Sequence, residues 1–428
     1  LIAKEASMRK LSKVLVVFGF LTLYSCGLNS NKGELTGVEG RSPWFHPQPY
    51  GTVYIPTGTF HTGQSDQDIF RSYIAPNKQV SIHAMWMDDT EITNNEYRQF
   101  VDHVIDSIAR FILDEPYIYE DDEGNRFINY QEEVDWEESR EDLEEMYYKP
   151  NERFRRAREI DTRKLVFNYE WIDYHTAAFD RSAQRRDLIK KEKVHIYPDT
   201  LAWIRDFSYS YNDPMTRQYF WHPKYDDYPV VGINWKQANA FCRWRTEYRN
   251  TYWEKEGMPI TEDFRLPTEF EWEYAARGGR NNNMYPWGGP YTRNSKGCFL
   301  ANFKPNRGNY MDDGGMYPVR GDAYFPNDYG LYNMAGNVAE WTINAYAESS
   351  TQFTHDLNPD YRYNADPAKD GASYLTQSRK VIRGGSWKDI AYFIQNGSRT
   401  YEYQDTAKSF IGFRCVQTYI GRSALDSK

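Results

Sequence analysis

Apolar residues in this chain gather in short bursts separated by long polar stretches, and the spacing within each burst sets what it can form. Val53-Tyr54-Ile55, Pro56-Thr57-Gly58-Thr59-Phe60 and then Ala84-Met85-Trp86-Met87-Asp88 predict strand, turn and strand. A helix is predicted to begin near Thr93, whose side chain suits an N-cap with Glu96 three residues on. A second helix runs through Ala238, Phe241, Cys242 and Trp244. In the third, Pro267 is expected in the first turn, Trp272 and Ala275-Ala276 on one apolar face, and Gly278-Gly279 at the end. Arg265, Glu269 and Glu273 are expected there as a structural ion-pair set. Between residues 114 and 193 the pattern gives way to charge. It is acidic first (Glu132-Glu133, Glu137-Glu138, Glu144-Glu145) and basic later (Arg153, Arg155-Arg156, Arg158, Arg185-Arg186, Lys190-Lys191), with apolar residues at helical spacing only in places such as Leu143, Met146 and Tyr147. This reads as a solvated helical insertion or a loop. The same segregation suits an assembly element whose acidic half meets the basic half of a neighbouring copy.

One apolar stretch stands apart. Met8-Arg9-Lys10-Leu11-Ser12-Lys13 is basic, Val14 to Tyr24 is apolar but too short to span a bilayer, and Leu23-Tyr24-Ser25-Cys26 resembles the lipobox of bacterial lipoproteins. The expectation is a signal peptide over 1–25, with the residues before Met8 an upstream translation artefact, and acylation at Cys26. The polar, Gly/Pro-punctuated 26–49 would be the linker. No acidic cluster follows Cys26, which favours an outer-membrane lipoprotein facing the periplasm, tethered by acyl chains and not spanning. A formal charge of −9 over 428 residues argues against nucleic acid as partner. Aromatics make up 17% of a chain whose mean hydropathy is −0.83, so packing relies on Tyr and Trp, as suits a loop-rich fold. The eight histidines show no metal-ligand spacing.

Two runs carry a resemblance. Phe264-Arg265-Leu266-Pro267-Thr268-Glu269-Phe270-Glu271-Trp272-Glu273-Tyr274-Ala275-Ala276-Arg277-Gly278-Gly279, and Arg383-Gly384-Gly385-Ser386-Trp387 closing on Gly412-Phe413-Arg414-Cys415, resemble the formylglycine-generating-enzyme (sulfatase-modifying-factor) family. The resemblance implies an α+β, C-type-lectin-like fold: a first part over 50–104, the charged insertion over 105–211, a second part over 212–420 and a tail over 421–428. In that family two cysteines shortly after Gly-Gly-Ser bind copper and catalyse. Asp389 and Ile394 stand at those positions, so neither copper nor oxidase activity is expected, because Cu(I) needs soft ligands. Ala339 and Phe410 also depart from the family's site, while Ser386 and Arg399 remain. The resemblance further implies a disulfide between Cys242 and Cys415, with Cys298 left single, and two structural calcium ions. One would use the side chains of Asn302 and Asp313 with the carbonyls of Phe303 and Gly315. The other would use Asn333 and Glu340 with the carbonyls of Gly336 and Val338.

A narrower resemblance rests on Pro43-Trp44-Phe45, Pro49-Tyr50-Gly51, Asp66-Gln67-Asp68, and Asn212-Asp213-Pro214-Met215-Thr216-Arg217 through Tyr219-Phe220-Trp221-His222-Pro223. These are similar to the gliding-motility lipoprotein K family (GldK/PorK) of the type IX secretion system, whose sister lipoprotein J shares the fold. That implies a non-catalytic subunit forming a periplasmic ring with copies of itself and a GldN/PorN-type partner. The alternatives are an oxidase of the formylglycine-generating type, and a peptidoglycan- or glycan-binding module using the aromatic loops around Trp287, Tyr291 and Tyr324.

Overall fold

The computed structural model describes residues 45–64, 75–122, 124–208, 215–305, 309, 311, 315–357 and 359–421. The expected leader with Cys26, and Asp313 of the first calcium set, lie outside the described residues, as do residues 66–68 and 212–214 of the narrower resemblance. The N-terminal half supplies β1 (Thr52–Ile55), β2 (Gly58–Thr62), β3 (Lys78–Ile82), β4 (Met85–Asp88), α1 (Asn94–Leu113), β5 (Ile118–Glu120), β6 (Arg126–Ile128), β7 (Val166–Ile172), α2 (Tyr174–Phe179) and β8 (Ile189–His195). The C-terminal half supplies α3 (Trp235–Lys255), β9 (Phe264–Arg265), α4 (Glu269–Arg277), β10 (Ala339–Ala345), β11 (Arg379–Arg383), β12 (Thr400–Tyr403), β13 (Ile411–Gly412) and β14 (Val416–Thr418). One four-stranded sheet has the order β1-β4-β14-β9 and the other β12-β11-β10-β13, so each interleaves strands distant in sequence.

Local chemistry explains where the helices start. Thr93 Oγ1 accepts the Glu96 N–H at 3.3 Å and Glu96 Oε2 accepts the Thr93 N–H at 2.8 Å, a closed capping box at the head of α1. Thr268 and Glu271 repeat it at α4, and Gly278, at φ 60°, closes that helix in the left-handed region. Pro267 therefore lies just outside α4 and not in its first turn, because Thr268 takes the capping position. α1 also continues past residue 104, where the insertion was expected to begin. Val104 and Ala109 are buried, and Ile105 and Ile108 pack beside them, prolonging its apolar stripe.

The principal core lies between α1, α3 and the two sheets. Tyr97, Phe100, Phe241, Trp244 and Phe413 form an aromatic cluster there, with Tyr97 stacked on Phe241 at 5.6 Å. A second core packs α4 on the first sheet through Phe270, Trp272, Met85, Met87 and Val416. The charged insertion is less helical than its spacing predicts. It contains the hairpins β5–β6 and β7–β8 with short helical turns between them. Leu143 and Met146 are buried in one such turn, Asp142–Met146, against Ala109 of α1. Phe167 and Val194 carry the second hairpin onto the main core. Alternation along these strands was masked by charged residues on the exposed face.

The three carboxyl-bearing positions near α4 each find a different arginine. Glu269 meets Arg399, Glu273 meets Arg277 and Arg383, and Arg265 pairs with Glu271. Arg265 grips Glu271 with two bonds of 2.7 and 2.6 Å. Burial alone would push the Glu271 carboxyl up, but Arg265 and the capping bonds of Thr268 overcome it and hold the group at about 2. Its folded value lies below the ordinary 4.5, so its stabilisation is complete above about pH 4.5 and is lost as pH falls toward 2. Thermal melts across that window should show Glu271→Gln with a shallower pH dependence than the unmodified protein; equal slopes would contradict the assignment.

Candidate functional site

The C-terminal signature folds tightly because glycine allows it. Gly384 and Gly385 have φ of 85° and 63°. A Cβ on Gly384 would lie 3.0 Å from the Trp272 ring, and one on Gly385 2.7 Å from the Phe393 carbonyl oxygen. The turn delivers Ser386 to Asp389, whose Oδ2 accepts from the Ser386 N–H at 2.9 Å and hydroxyl at 2.6 Å. Lys388 Nζ lies 3.3 Å from Asp389 Oδ1 and 3.8 Å from the centre of the Phe410 ring. Ile394 is fully buried with Tyr285, Ala301, Phe303 and Ala335. The two positions of interest therefore hold a turn-closing carboxylate and a core aliphatic. Ser386 is itself fully buried and donates its proton to a carboxylate, so it has no approach to a substrate. Arg399 is committed to Glu269 and Ser350. Beside the turn, Trp387 packs in an aromatic stack with Trp203, Phe207 and Tyr317 at centroid distances of 6.1, 5.1 and 5.3 Å.

The two expected calcium sets fare differently. Asn302 is buried, its Nδ2 donates to the Tyr317 carbonyl at 2.8 Å, and its Oδ1 has no hydrogen-bond partner. Gly315 lies against that oxygen, since a Cβ there would come within 2.6 Å of it. A buried, unpartnered carbonyl oxygen on a glycine-containing loop suits a hard cation, so Asn302, with Gly315 against it, fits that use. Of the second set, Glu340 and Asn333 are engaged with side chains outside it. Both Glu340 oxygens accept from Arg414 at 2.7 Å, and one also accepts from Trp272 Nε1 at 2.7 Å. The carboxylate that faces Asn333 is Glu91, reached by Asn333 Nδ2 at 3.2 Å and Asn337 Nδ2 at 2.9 Å. Burial, with Glu340 adding to it against the pull of Arg414, pushes Glu91 up to about 8. Nothing in the spacing around Glu91, two residues before the Thr93 cap, marks it for this role, because its amide partners lie more than 240 residues away. Gly336 joins the two loops: a Cβ there would fall 2.2 Å from the Asn302 carbonyl oxygen, which accepts from Asn337 N–H at 2.8 Å. Among the described residues no cluster of three or more His, Cys, Asp or Glu side chains is placed to hold a metal.

Arg414 is the hub of this region. Its five N–H groups serve both Glu340 oxygens and the carbonyls of Asp88, Asp89 and Tyr332. Next to it the Cys415 N–H donates to Asp88 Oδ2 at 2.8 Å, and Asp88 in turn accepts two bonds from Arg245. Cys415 Sγ lies 3.2 Å from Cys242 Sγ, with both side chains buried, and Cys298 is exposed. Contact between the sulfurs requires α3 and the C-terminal strand to pack directly.

With this geometry in place, comparison with known proteins is informative. Residues 43–419 match the model of the sulfatase-modifying factor enzyme 1-like domain. The inactive C-alpha-formylglycine-generating enzyme 2 of Bos taurus is 33% identical over 198 residues, 44% of this chain and 50% of that protein. The formylglycine-generating enzyme of Mus musculus is 25% identical over 388 residues, 86% of this chain and 75% of that protein. The chain spans about half the length of the inactive relatives it matches. PvdO of Pseudomonas aeruginosa aligns over 89% of this chain and 100% of its own, at 14% identity and a TM-score of 0.47.

The Arg414 hub yields a direct expectation. Arg414→Met removes the one cation paired with a carboxylate that is 1% exposed, so urea unfolding should show a loss of roughly 3–5 kcal/mol. A loss below about 1 kcal/mol, the value of a surface pair, would contradict the burial of this interaction.

Proposed function

Because this chain belongs to the sulfatase-modifying factor enzyme 1-like domain family, we propose that it puts the family's fold to non-catalytic use. It acts as a structural lipoprotein of the type IX secretion and gliding machinery, forming a periplasmic ring with a GldN/PorN-type partner under the outer membrane. The observation that carries the non-catalytic part is the state of Asp389 and Ile394: one is spent on closing a turn and the other is in the core, so neither presents a nucleophile or soft ligand. The machinery and partner follow from the lipobox-like Leu23 to Cys26 and the narrower sequence resemblance. The mechanism is geometric. The acyl anchor at Cys26 fixes the body to the membrane, and the braced core holds its loops and insertion in fixed positions for neighbours to contact.

Two braces belong to this reading. The Cys242–Cys415 contact becomes a disulfide in an oxidising periplasm, which the chain-entropy model values at roughly 4–5 kcal/mol for so long a loop. A structural calcium rests on the side chains of Asn302 and Asp313 with the carbonyls of Phe303 and Gly315, oxygen donors of the kind a hard cation takes. One series of melts tests both: a reductant and a chelator should each lower the melting temperature. Cys415→Ser should abolish only the first response, and Asn302→Ala only the second. A melt indifferent to either agent removes the corresponding brace.

The decisive measurement is the size of the purified mature protein, alone and with the candidate partner. Large, defined assemblies are expected in the mixture. A strict monomer under both conditions would overturn the ring reading. Conversion of a cysteine-containing sulfatase peptide with copper supplied would overturn the non-catalytic one.

A further inference from the structure

The charge segregation of the insertion, ambiguous as a sequence pattern, becomes specific once its two halves are placed. Residues 132–145 lie on short turns against the C-terminal end of α1, anchored by Leu143 and Met146. Their acids, among them Glu133, Glu137, Glu138, Glu141, Asp142 and Glu145, are exposed. The basic half lies elsewhere. Hairpin β7–β8 is paired in register from Val166↔His195 to Ile172↔Ile189. Beyond that last pair, the connecting segment carries Arg181, Arg185 and Arg186, and the adjoining end of β8 carries Lys190, all exposed. Tyr174, at the start of α2, is 73% exposed at the same end.

Within one molecule these halves stay apart. The open end of the hairpin is fixed beside the acidic segment, since Asp161 N–H donates to the Met146 carbonyl and Phe167 packs on Phe100 at 5.2 Å. Seven residues of strand at about 3.3 Å each carry the tip on the order of 20 Å beyond that end. Among the described residues no ion pair joins 181–193 to 132–145; the tip's pairs are Arg186 with Asp187 and Lys191 with Glu170. The nearer arginines Arg153 and Arg158 are the ones that answer Glu144. Each molecule therefore displays a basic tip and an acidic face that, among the described residues, form no ion pair with one another.

We infer that the basic tip of hairpin β7–β8 docks on the acidic 132–145 face of a second copy of this chain. Two different surfaces meeting head to tail make a heterologous contact, which propagates and closes into a ring when the rotation between copies permits. Exposed tyrosine and arginine at the tip are the residue types that supply binding energy at interface centres, while the charges guide encounter and fix register. The inference rests on the proposal that this protein assembles and identifies which surfaces of its own it uses.

Charge reversal in the full mature chain tests it. Self-association of the unmodified protein, followed by sedimentation, should weaken about tenfold or more when salt is raised from roughly 50 to 500 mM. R181E/R185E/R186E and E137K/E138K/E141K should each abolish self-association, with unchanged melting temperature because every altered residue is exposed. Mixing the two variants should restore association, since one supplies an intact acidic face and the other an intact basic tip. An unmodified protein that never associates, alone or with the partner, fails the assembly reading itself. If it associates but neither variant nor salt alters it, this contact is wrong and the assembly reading stands. Loss of binding to anionic vesicles by the tip variant, with self-association intact, would assign the tip to a membrane surface and also overturn the inference.

Discussion

The buried pair of Arg414 and Glu340 is the constraint on which the rest of this region depends. Both side chains are withdrawn from water, a state that costs several kcal/mol per ion unless every donor and lone pair is answered. The answers come from far apart in the chain: Trp272 of α4 caps Glu340, and the carbonyls of Asp88, Asp89 and Tyr332 take the remaining guanidinium hydrogens. Satisfying one arginine therefore fixes β4, α4, β10 and the loop at Tyr332 relative to each other. The next residue inherits that precision, and Cys415 arrives at Cys242 already placed.

One cation serving a region with two buried carboxylates also explains the neighbouring loops. The Arg414 donors go to Glu340 and three carbonyls, so Glu91 is left with amide donors from Asn333 and Asn337, both in the left-handed region at φ of 51° and 61°. Asparagine tolerates that backbone better than most residues and brings a donor with it. The loop from Gly330 to Glu340 is thus shaped by the need to solvate a carboxylate without water, and Gly336 lets it approach the Asn302 loop closely enough to do so.

What could be read from the sequence divides by distance along the chain. The capping box at Thr93 and the glycine ending α4 depend on residues within four positions, and local rules found them; the box at Thr268 is equally local, but the sequence pattern places Pro267 in the first turn instead. The ion pairs of Glu269 and Glu273 were legible as structural, but their partners Arg399 and Arg383 lie over a hundred residues away and no spacing rule reaches them. Glu340 was assigned by family pattern to a cation, whereas its nearest positive charge is a side chain that only tertiary folding brings in. In the insertion, exposed lysines and glutamates on one face of β7–β8 hid the alternation that buries Phe167 and Val194 on the other.

The same division separates the C-terminal turn from the charged insertion. Asp389 and Ile394 leave no hole there: the aspartate closes a turn through Ser386, the isoleucine fills a core, and Trp387 joins an aromatic stack. These contacts stiffen the C-terminal signature. The insertion changes by a different logic, since its apolar residues turn inward onto α1 and α3 and its charges outward. Packing and surface charge thus reside in separate parts of the chain, so charges at the hairpin tip can change without disturbing the Arg414 hub.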